Sequence, residues 1–279
     1  MKLMIAIPVY NRKKYLNIML KSLKECDHVN KTFVKVFNDC STEFDEAYLR
    51  QIFKGLNINI ITRCKNLRAD RNNYQIMLDF LNTDNDALFI CDSDLLLRPD
   101  TIEYIYSNFK KTDGFLSVYN SDLHRDIYFD GKFVYKQDVG FAGMCISKDL
   151  LKSFILKQKE APRSMDFKLS YFLLKKGVRL IVPKNSYVQH IGFDGQNCSS
   201  ESVDFSSSFV PLSDFNKKII DEVAPIVLKR QSEMIKYLLF KDKYKRCGFM
   251  LHQPKKHFAQ NLLFKKLRKL YFKLYPASN

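Results

Sequence analysis

Two carboxylates, Asp92 and Asp94, stand either side of Ser93, directly after the apolar run Ala87-Leu88-Phe89-Ile90-Cys91. A short apolar run without Pro or Gly predicts a buried strand. The pair then sits at the carboxyl end of that strand, where open α/β sheets bind their ligands. Carboxylates in that position suit a hard divalent cation with oxygen ligands, and such a cation suits a diphosphate. Asp is also common at strand ends and turns for local reasons, so the surrounding elements must decide.

The first half of the chain alternates strands and helices. Lys2–Val9 predicts a strand and Asn11 to about Cys26 a helix, with Leu16, Leu20 and Leu23 on one side. Further strands are expected at Thr32–Phe37, Ile58–Thr62 and Ala87–Cys91. Helices are expected at Phe44–Gly55, with Gly55 as its stop, and at Asp70–Leu81. Another should open at Pro99-Asp100-Thr101-Ile102-Glu103, with Asp100 as N-cap and Glu103 at capping-box spacing. Such repetition implies an α/β fold with a mostly parallel, doubly wound sheet.

From about Gly114 the pattern changes to short strands at Phe115–Tyr119, Ile127–Phe129, Lys132–Tyr135 and Gly143–Ser147. Asp130-Gly131 is a hairpin turn signal. Asp166–Lys176 predicts a helix stopped by Gly177, followed by a strand at Val178–Val182. The Ser-rich stretch 198–208 predicts a loop that could close over a ligand. Beyond Ser213 the chain reads as helical, interrupted at Pro225 and around Gly248–Pro254. The expected organisation is a nucleotide-binding domain over 1–212 and a helical, basic C-terminal extension over 213–279.

The chain of 279 residues is 46% hydrophobic and 27% charged, the balance of a globular domain and not of a disordered one. Seven scattered Cys without a C-x-x-C pair argue for a reducing compartment and against a disulfide framework or zinc cage. The start lacks the small-residue cleavage site of a signal peptide. No run approaches the ~18 apolar residues of a transmembrane helix. Of the net charge of +16, residues 241–279 carry +10, so the excess belongs to the tail. That pattern favours attachment of the tail to an anionic surface over a basic active site.

Several separated segments together resemble the inverting glycosyltransferases of family 2, of GT-A fold, over about residues 3–195. Ile5-Ala6-Ile7-Pro8-Val9-Tyr10-Asn11-Arg12 is similar to the family's first strand and turn. Phe37-Asn38-Asp39-Cys40-Ser41-Thr42-Glu43 is similar to its D-D-G-S-T-D segment, with Asn38 for the first Asp and Cys40 for Gly. Arg71-Asn72 resembles the A-R-N helix start, and Asp92-Ser93-Asp94 the D-x-D motif. The resemblance implies a UDP-sugar donor bound by Pro8, Tyr10, Arg12, Asp39, Arg71, Asp92, Ser93 and Gly143. It gives Asp94 direct contact with Mn²⁺ or Mg²⁺, and Asp92 the ribose or a metal-bound water.

Each residue also has a bland reading. Pro8 and Tyr10 offer a rigid turn and an aromatic wall for a pyrimidine, or are merely a turn and a half-buried ring. Asp39 can accept from the imide N–H that uracil and thymine present and cytosine does not, or can cap through Ser41 and Thr42. Arg71 in a helix's first turn gains nothing from the macrodipole, which suits a diphosphate role, or is solvated. Asp166, preceded by Met165 where the family has Glu or Trp, is the implied general base, or an N-cap or first-turn Asp favoured by the helix dipole. Gly140-Phe141-Ala142-Gly143 resembles the family's glycine segment beneath the donor sugar, or is a plain turn. His190, in a segment similar to the family's s-x-v-x-H-x-G ending, is a third candidate ligand, or structural.

On a helix, residues 255–275 carry Leu263, Leu267, Leu270, Tyr271 and Leu274 on one face, flanked by Lys and Arg. That is the pattern of an in-plane helix on an anionic membrane. Phe258, Leu262 and Phe272 fall off the stripe, which suits packing on the domain or homo-oligomerisation. Nucleic acid is disfavoured, for lack of a stacking platform. The expectation is a cytoplasmic enzyme, peripheral on the inner face of a bacterial membrane, transferring sugar to a glycan or lipid-linked glycan of capsule, O-antigen or lipooligosaccharide. A GT-A-like nucleotidyltransferase is disfavoured because Tyr10-Asn11-Arg12-Lys13-Lys14 carries no glycine. A non-catalytic binding protein would tolerate loss of Asp94 and Asp166.

Overall fold

A computed structural model of the chain describes residues 1–193 and 204–239. One compact unit comprises the described residues up to Val227, and a second holds the described residues from Leu228. The tail helix expected over 255–275, the interruption near Gly248–Pro254 and the loop residues 198–203 lie outside the described residues.

The central sheet has six strands. In chain order its parallel part is β1 (Leu3–Val9), β2 (Phe33–Asn38), β3 (Ile58–Thr62) and β4 (Ala87–Ile90). With β6 (Phe115–Ser117) and β9 (Met144–Ser147), the spatial order is β3-β2-β1-β4-β9-β6, and β9 runs antiparallel to both neighbours. Strand β1 shows why the sheet is covered on both sides. Leu3, Ile5, Ile7 and Val9 pack with Leu16, Met19 and Leu23 of α1 (Lys13–Lys24) and Ile105 of α4 (Thr101–Asn108). Met4 and Ala6 face Ile76, Met77 and Phe80 of α3 (Arg68–Leu81). Successive side chains on a strand point to opposite faces, so a continuous apolar run requires helices on both. Truncating a buried ring such as Phe80 to Ala would cost about 3–5 kcal/mol.

The short helix α2 (Glu46–Ile52) is capped by Asp45, whose Oδ1 accepts the Tyr48 N–H at 2.8 Å. A three-stranded antiparallel sheet in the order β10-β8-β7 is built from β7 (Asp126–Phe129), β8 (Phe133–Lys136) and β10 (Ile181–Pro183). Its hairpin turns at Asp130-Gly131 as expected, with Asp130 Oδ1 accepting from Lys132 and Phe133 N–H. A two-stranded ribbon pairs β5 (Leu95–Leu97) with β11 (Val188–His190).

Three strands or α-helices depart from the sequence reading by being present: β5, β11 and α5 (Lys148–Ile155). Two expected signals act otherwise. Asp100 does not cap α4 through its side chain; it receives Arg98 Nε and Nη2 at 2.9 and 2.6 Å. Pro225 does not interrupt α7 (Asp214–Leu239), which runs through it. Its start is fixed by Asn216, fully buried, whose Nδ2 donates to the Leu97 carbonyl at 2.8 Å. Ile219, Val223 and Val227, four residues apart, then pack with Leu96, Ile191 and Phe193.

Candidate active site

Three distant segments meet at Asp94. The ribbon pairs His190 with Leu95, and this register carries His190 Nε2 to 3.1 Å from Asp94 Oδ2. Arg12, just beyond β1, places Nη1 at 2.6 Å from the same oxygen. The Asp94 backbone is held too, since its carbonyl accepts the Ile191 N–H at 2.9 Å.

The turn that aims Arg12 is strained. Asn11 and Arg12 both adopt left-handed backbone, with φ of 51° and 62°, a conformation that costs roughly 1–2 kcal/mol per residue. Local bonds hold it in place: Asn11 Oδ1 accepts the Thr42 and Glu43 N–H groups at 2.7 and 3.2 Å, and Ser41 Oγ accepts the Asn11 N–H at 3.0 Å. Gly192 closes the remaining side. A Cβ there would overlap the Arg12 guanidinium and the Asp94 carboxylate.

The two motif carboxylates have different electrostatics. Burial pushes Asp94 up, but the His190 and Arg12 charges outweigh it and hold the carboxyl down to about 2. Asp92 makes no side-chain hydrogen bond among the described residues, and burial with the neighbouring Asp94 charge pushes it up to about 7. Asp204 adds to that push, held in place by Tyr119 Oη and Ser121 Oγ, which donate to its Oδ1 at 2.9 and 2.5 Å. Sequence reasoning missed Asp204: it lies within the Ser-rich stretch 198–208, and its partners are 85 and 83 residues away.

Asp166 occupies the second position of α6 (Met165–Lys175). It does not supply the cap. Asp70 of α3 does, its carboxylate accepting the Ser164 and Met165 N–H groups at 3.0 and 3.2 Å. Burial, and then the Asp70 charge, raise the Asp166 carboxyl above the ordinary range, against the Phe167 N–H and His124, which lower it. His124 is itself oriented. Its Nε2 accepts the Gly140 N–H at 3.1 Å, which leaves the proton on Nδ1, 2.5 Å from Asp138 Oδ1.

The remaining candidates are dispersed around these groups. Asp39 accepts the Leu67 and Arg68 N–H groups at 2.8 and 3.1 Å and so anchors the start of α3; it makes no cap through Ser41 or Thr42. Asn38 makes the local cap, accepting the Ser41 N–H at 2.9 Å. Cys40 has φ of 63°, left-handed backbone that Gly adopts more readily than Cys. Pro8 is not in a turn; it lies within β1, opposite Phe37. Tyr10 is half-buried just after that strand, and Ser93 half-buried between the two carboxylates. Arg71 is exposed, a full turn into α3, and makes no ion pair among the described residues. Gly143 is buried in packing. With φ of 72°, a Cβ on it would come within 3.0 Å of Tyr119 and 3.1 Å of Val188.

The donor set fits a small divalent cation. Asp94 Oδ2 and His190 Nε2 are oxygen and nitrogen donors of the kinds such a cation takes, and to hold it the imidazole would give up its proton and the 3.1 Å ion pair it makes with Asp94. The described residues contain no group of three or more His, Cys, Asp or Glu placed to hold a metal, so water and phosphate oxygens would complete the shell. Arg12 meanwhile supplies positive charge on the same oxygen. A cavity of about 560 Å³ beside the ends of β2 and β3 is walled by Asn38, Cys40, Glu43 and Arg63, and not by Asp94.

Comparison with known proteins bears on the whole arrangement. The profile of glycosyl transferase family 2 matches residues 4–174. No curated protein sequence matches the chain significantly. Among solved structures, S. aureus TarS 1–349 in complex with UDP-GlcNAc is similar at a TM-score of 0.54 and 16% identity, covering 97% of this chain and 79% of that one. The same protein in complex with UDP gives 0.51 and 14%, covering 92% and 78%. These likenesses show the fold, a mostly parallel GT-A sheet with flanking helices. With more than half its length matched, the chain belongs to glycosyl transferase family 2 and is a glycosyltransferase.

Proposed function

We propose that the chain transfers a sugar from a UDP-sugar, with inversion, to a hydroxyl of a glycan or lipid-linked glycan in bacterial surface polysaccharide synthesis. The observation that carries this is the meeting of Arg12, Asp94 and His190 at the carboxyl ends of the central strands. The TarS structures with UDP-GlcNAc and UDP support the donor class.

In this reading Asp94 and His190 hold Mn²⁺ or Mg²⁺, which when bound would offset the charge developing on the departing UDP. Asp92, with no side-chain hydrogen bond among the described residues, accepts from a ribose hydroxyl or a bound water. Arg12 turns from Asp94 to a diphosphate oxygen as the donor arrives, with Arg71 nearby in the same role. Asp39 uses its remaining lone pairs on the imide N–H of the base, beside Pro8 and Tyr10. Asp166 takes the proton from the acceptor hydroxyl as that oxygen attacks the anomeric carbon. The bond to the UDP oxygen breaks on the opposite face, which inverts the centre. The raised carboxyl of Asp166 makes it a better base than an exposed Asp.

The enzyme is read as peripheral on the cytoplasmic face of the membrane, with the basic tail over 255–275 as anchor. No helix among the described residues is long and apolar enough to cross a membrane. The test is donor turnover over a panel of UDP-sugars with and without Mn²⁺, comparing wild type with Asp94→Asn. Mn²⁺-dependent transfer that Asp94→Asn abolishes while the protein stays folded is the expected result. Metal-dependent turnover retained in that variant would overturn the assignment of Asp94.

A further inference from the structure

On the outer face of α5 and α6 a cleft of about 330 Å³ is lined by Lys157, Lys168, Lys175 and Lys176 over the rings of Tyr171 and Phe172, with no carboxylate among its described walls. The lysines are organised by the rings: Lys157 and Lys176 Nζ lie 5.1 and 5.4 Å from the centre of Phe172, and Lys175 Nζ lies 4.6 Å from that of Tyr171. Four ammonium groups gathered without a counter-charge repel one another, so the cleft favours an anion. Beside it stand large apolar groups that a soluble protein usually covers: Leu156 is 76% exposed, Tyr171 60% and Phe167 53%. Phe167, Lys168, Tyr171 and Lys175 form one exposed strip of α6.

We propose that this α5–α6 face is a contact between the catalytic unit and the surface of an anionic lipid bilayer. The lysine cleft would receive a lipid phosphate, and Leu156, Phe167 and Tyr171 would enter the headgroup boundary. A soluble phosphate would satisfy the lysines and leave those three side chains in water, whereas a bilayer takes up both kinds of group. The contact is separate from the basic tail, and it would hold α6, whose second residue is Asp166, at the surface that carries a lipid-linked acceptor. That purpose rests on the proposed function; the binding itself does not.

The test is co-sedimentation of the full chain, without donor or acceptor, with phosphatidylcholine vesicles and with vesicles containing phosphatidylglycerol. Lys168→Glu/Lys175→Glu should bind the anionic vesicles about thirtyfold less well than wild type, the loss of two basic residues at such a surface. Phe167→Ser/Tyr171→Ser should weaken binding severalfold while keeping its salt dependence. Should the charge-reversed pair fold poorly, Lys168→Gln/Lys175→Gln serves in its place. The lysine variant should retain wild-type hydrolysis of a UDP-sugar, so that failure at the membrane and failure of sugar transfer are read separately. Unchanged binding in either variant would overturn the proposal. So would inorganic phosphate raising the Tm of wild type but not of the lysine variant while the aromatic variant binds vesicles normally, because the cleft would then hold a soluble anion.

Discussion

The parallel and antiparallel halves of the catalytic unit contribute to the site by different means. In the parallel half three of the four strands end in turns that present residues directly: Arg12 after β1, Asp39 after β2, Asp92 and Asp94 after β4. In the antiparallel half, residues reach their places through partners far away in sequence. His190 arrives because β11 pairs with β5, and Asp166 stands where it does because Asp70, 95 residues earlier than Met165, caps its helix. Direct presentation makes a site rigid at low cost in contacts. Presentation through a partner makes it sensitive to changes in residues that never touch substrate.

The largest expected effect falls on the proton-transfer end of the antiparallel half. Asp166→Asn should lower the transfer rate on the order of 10³-fold, the usual worth of a positioned base, while titration with UDP shows unchanged binding. A near-normal rate would remove Asp166 from the chemistry. Gly192→Ala probes the junction of the halves. Its methyl would displace Arg12 and Asp94, costing about 10²-fold in turnover. Gly143→Ala, by contrast, should act on stability, with Tm falling about 2–4 °C for each kcal/mol of backbone strain.

Asp70→Ala tests presentation through a partner more gently. Loss of a helix cap costs about 1 kcal/mol, read as a Tm shift, and kcat should fall with KM for the donor unchanged. If kcat stays at the wild-type value, α6 does not need Asp70 to position Asp166. The smallest effect concerns the β7–β8 hairpin, remote from the motif carboxylates. The N–H of Phe133, then Tyr135 Oη, then the N–H of Lys132 hold the exposed Asp130 carboxyl down to about 2. A depressed acid stabilises the fold above its unfolded value of about 4 and loses that contribution as pH falls through about 2. Acid titration of Asp130→Asn should therefore show a flatter stability profile over that window than wild type.

The same division explains what could be read in the sequence. Strands β1 to β4 were legible because each is a short apolar run bounded by turn residues, and β3 matched its expected limits at Ile58–Thr62. The motif carboxylates were legible because they follow such a run. Strand β5 was hidden: Leu95-Leu96-Leu97 has no alternation, and its partner β11 lies more than 90 residues away. Helix α5 was hidden because Ser147 both ends β9 and caps the helix, leaving no loop to mark a boundary. Asp39 shows the limit at the site itself. Its type and position at a strand end suggested a ligand, but its backbone partners at Leu67 and Arg68 arise only when β2 and α3 come together. Pro225 misled because a missing N–H bond was offset by the burial of Ile219, Val223 and Val227 along the helix.

The ion pair between Arg12 and Asp94 has a consequence for the life of the protein before it meets any substrate. A buried carboxylate awaiting a metal would normally tie folding to metal supply. Here the chain carries its own counter-charge at 2.6 Å, so the proposed cation would not be needed to neutralise Asp94 in the folded state. Chelation with EDTA should leave the Tm of the donor-free enzyme where it was, and Arg12→Gln should make that stability depend on added Mn²⁺. On the proposed reading, then, a cation would be a requirement of turnover and not of the fold.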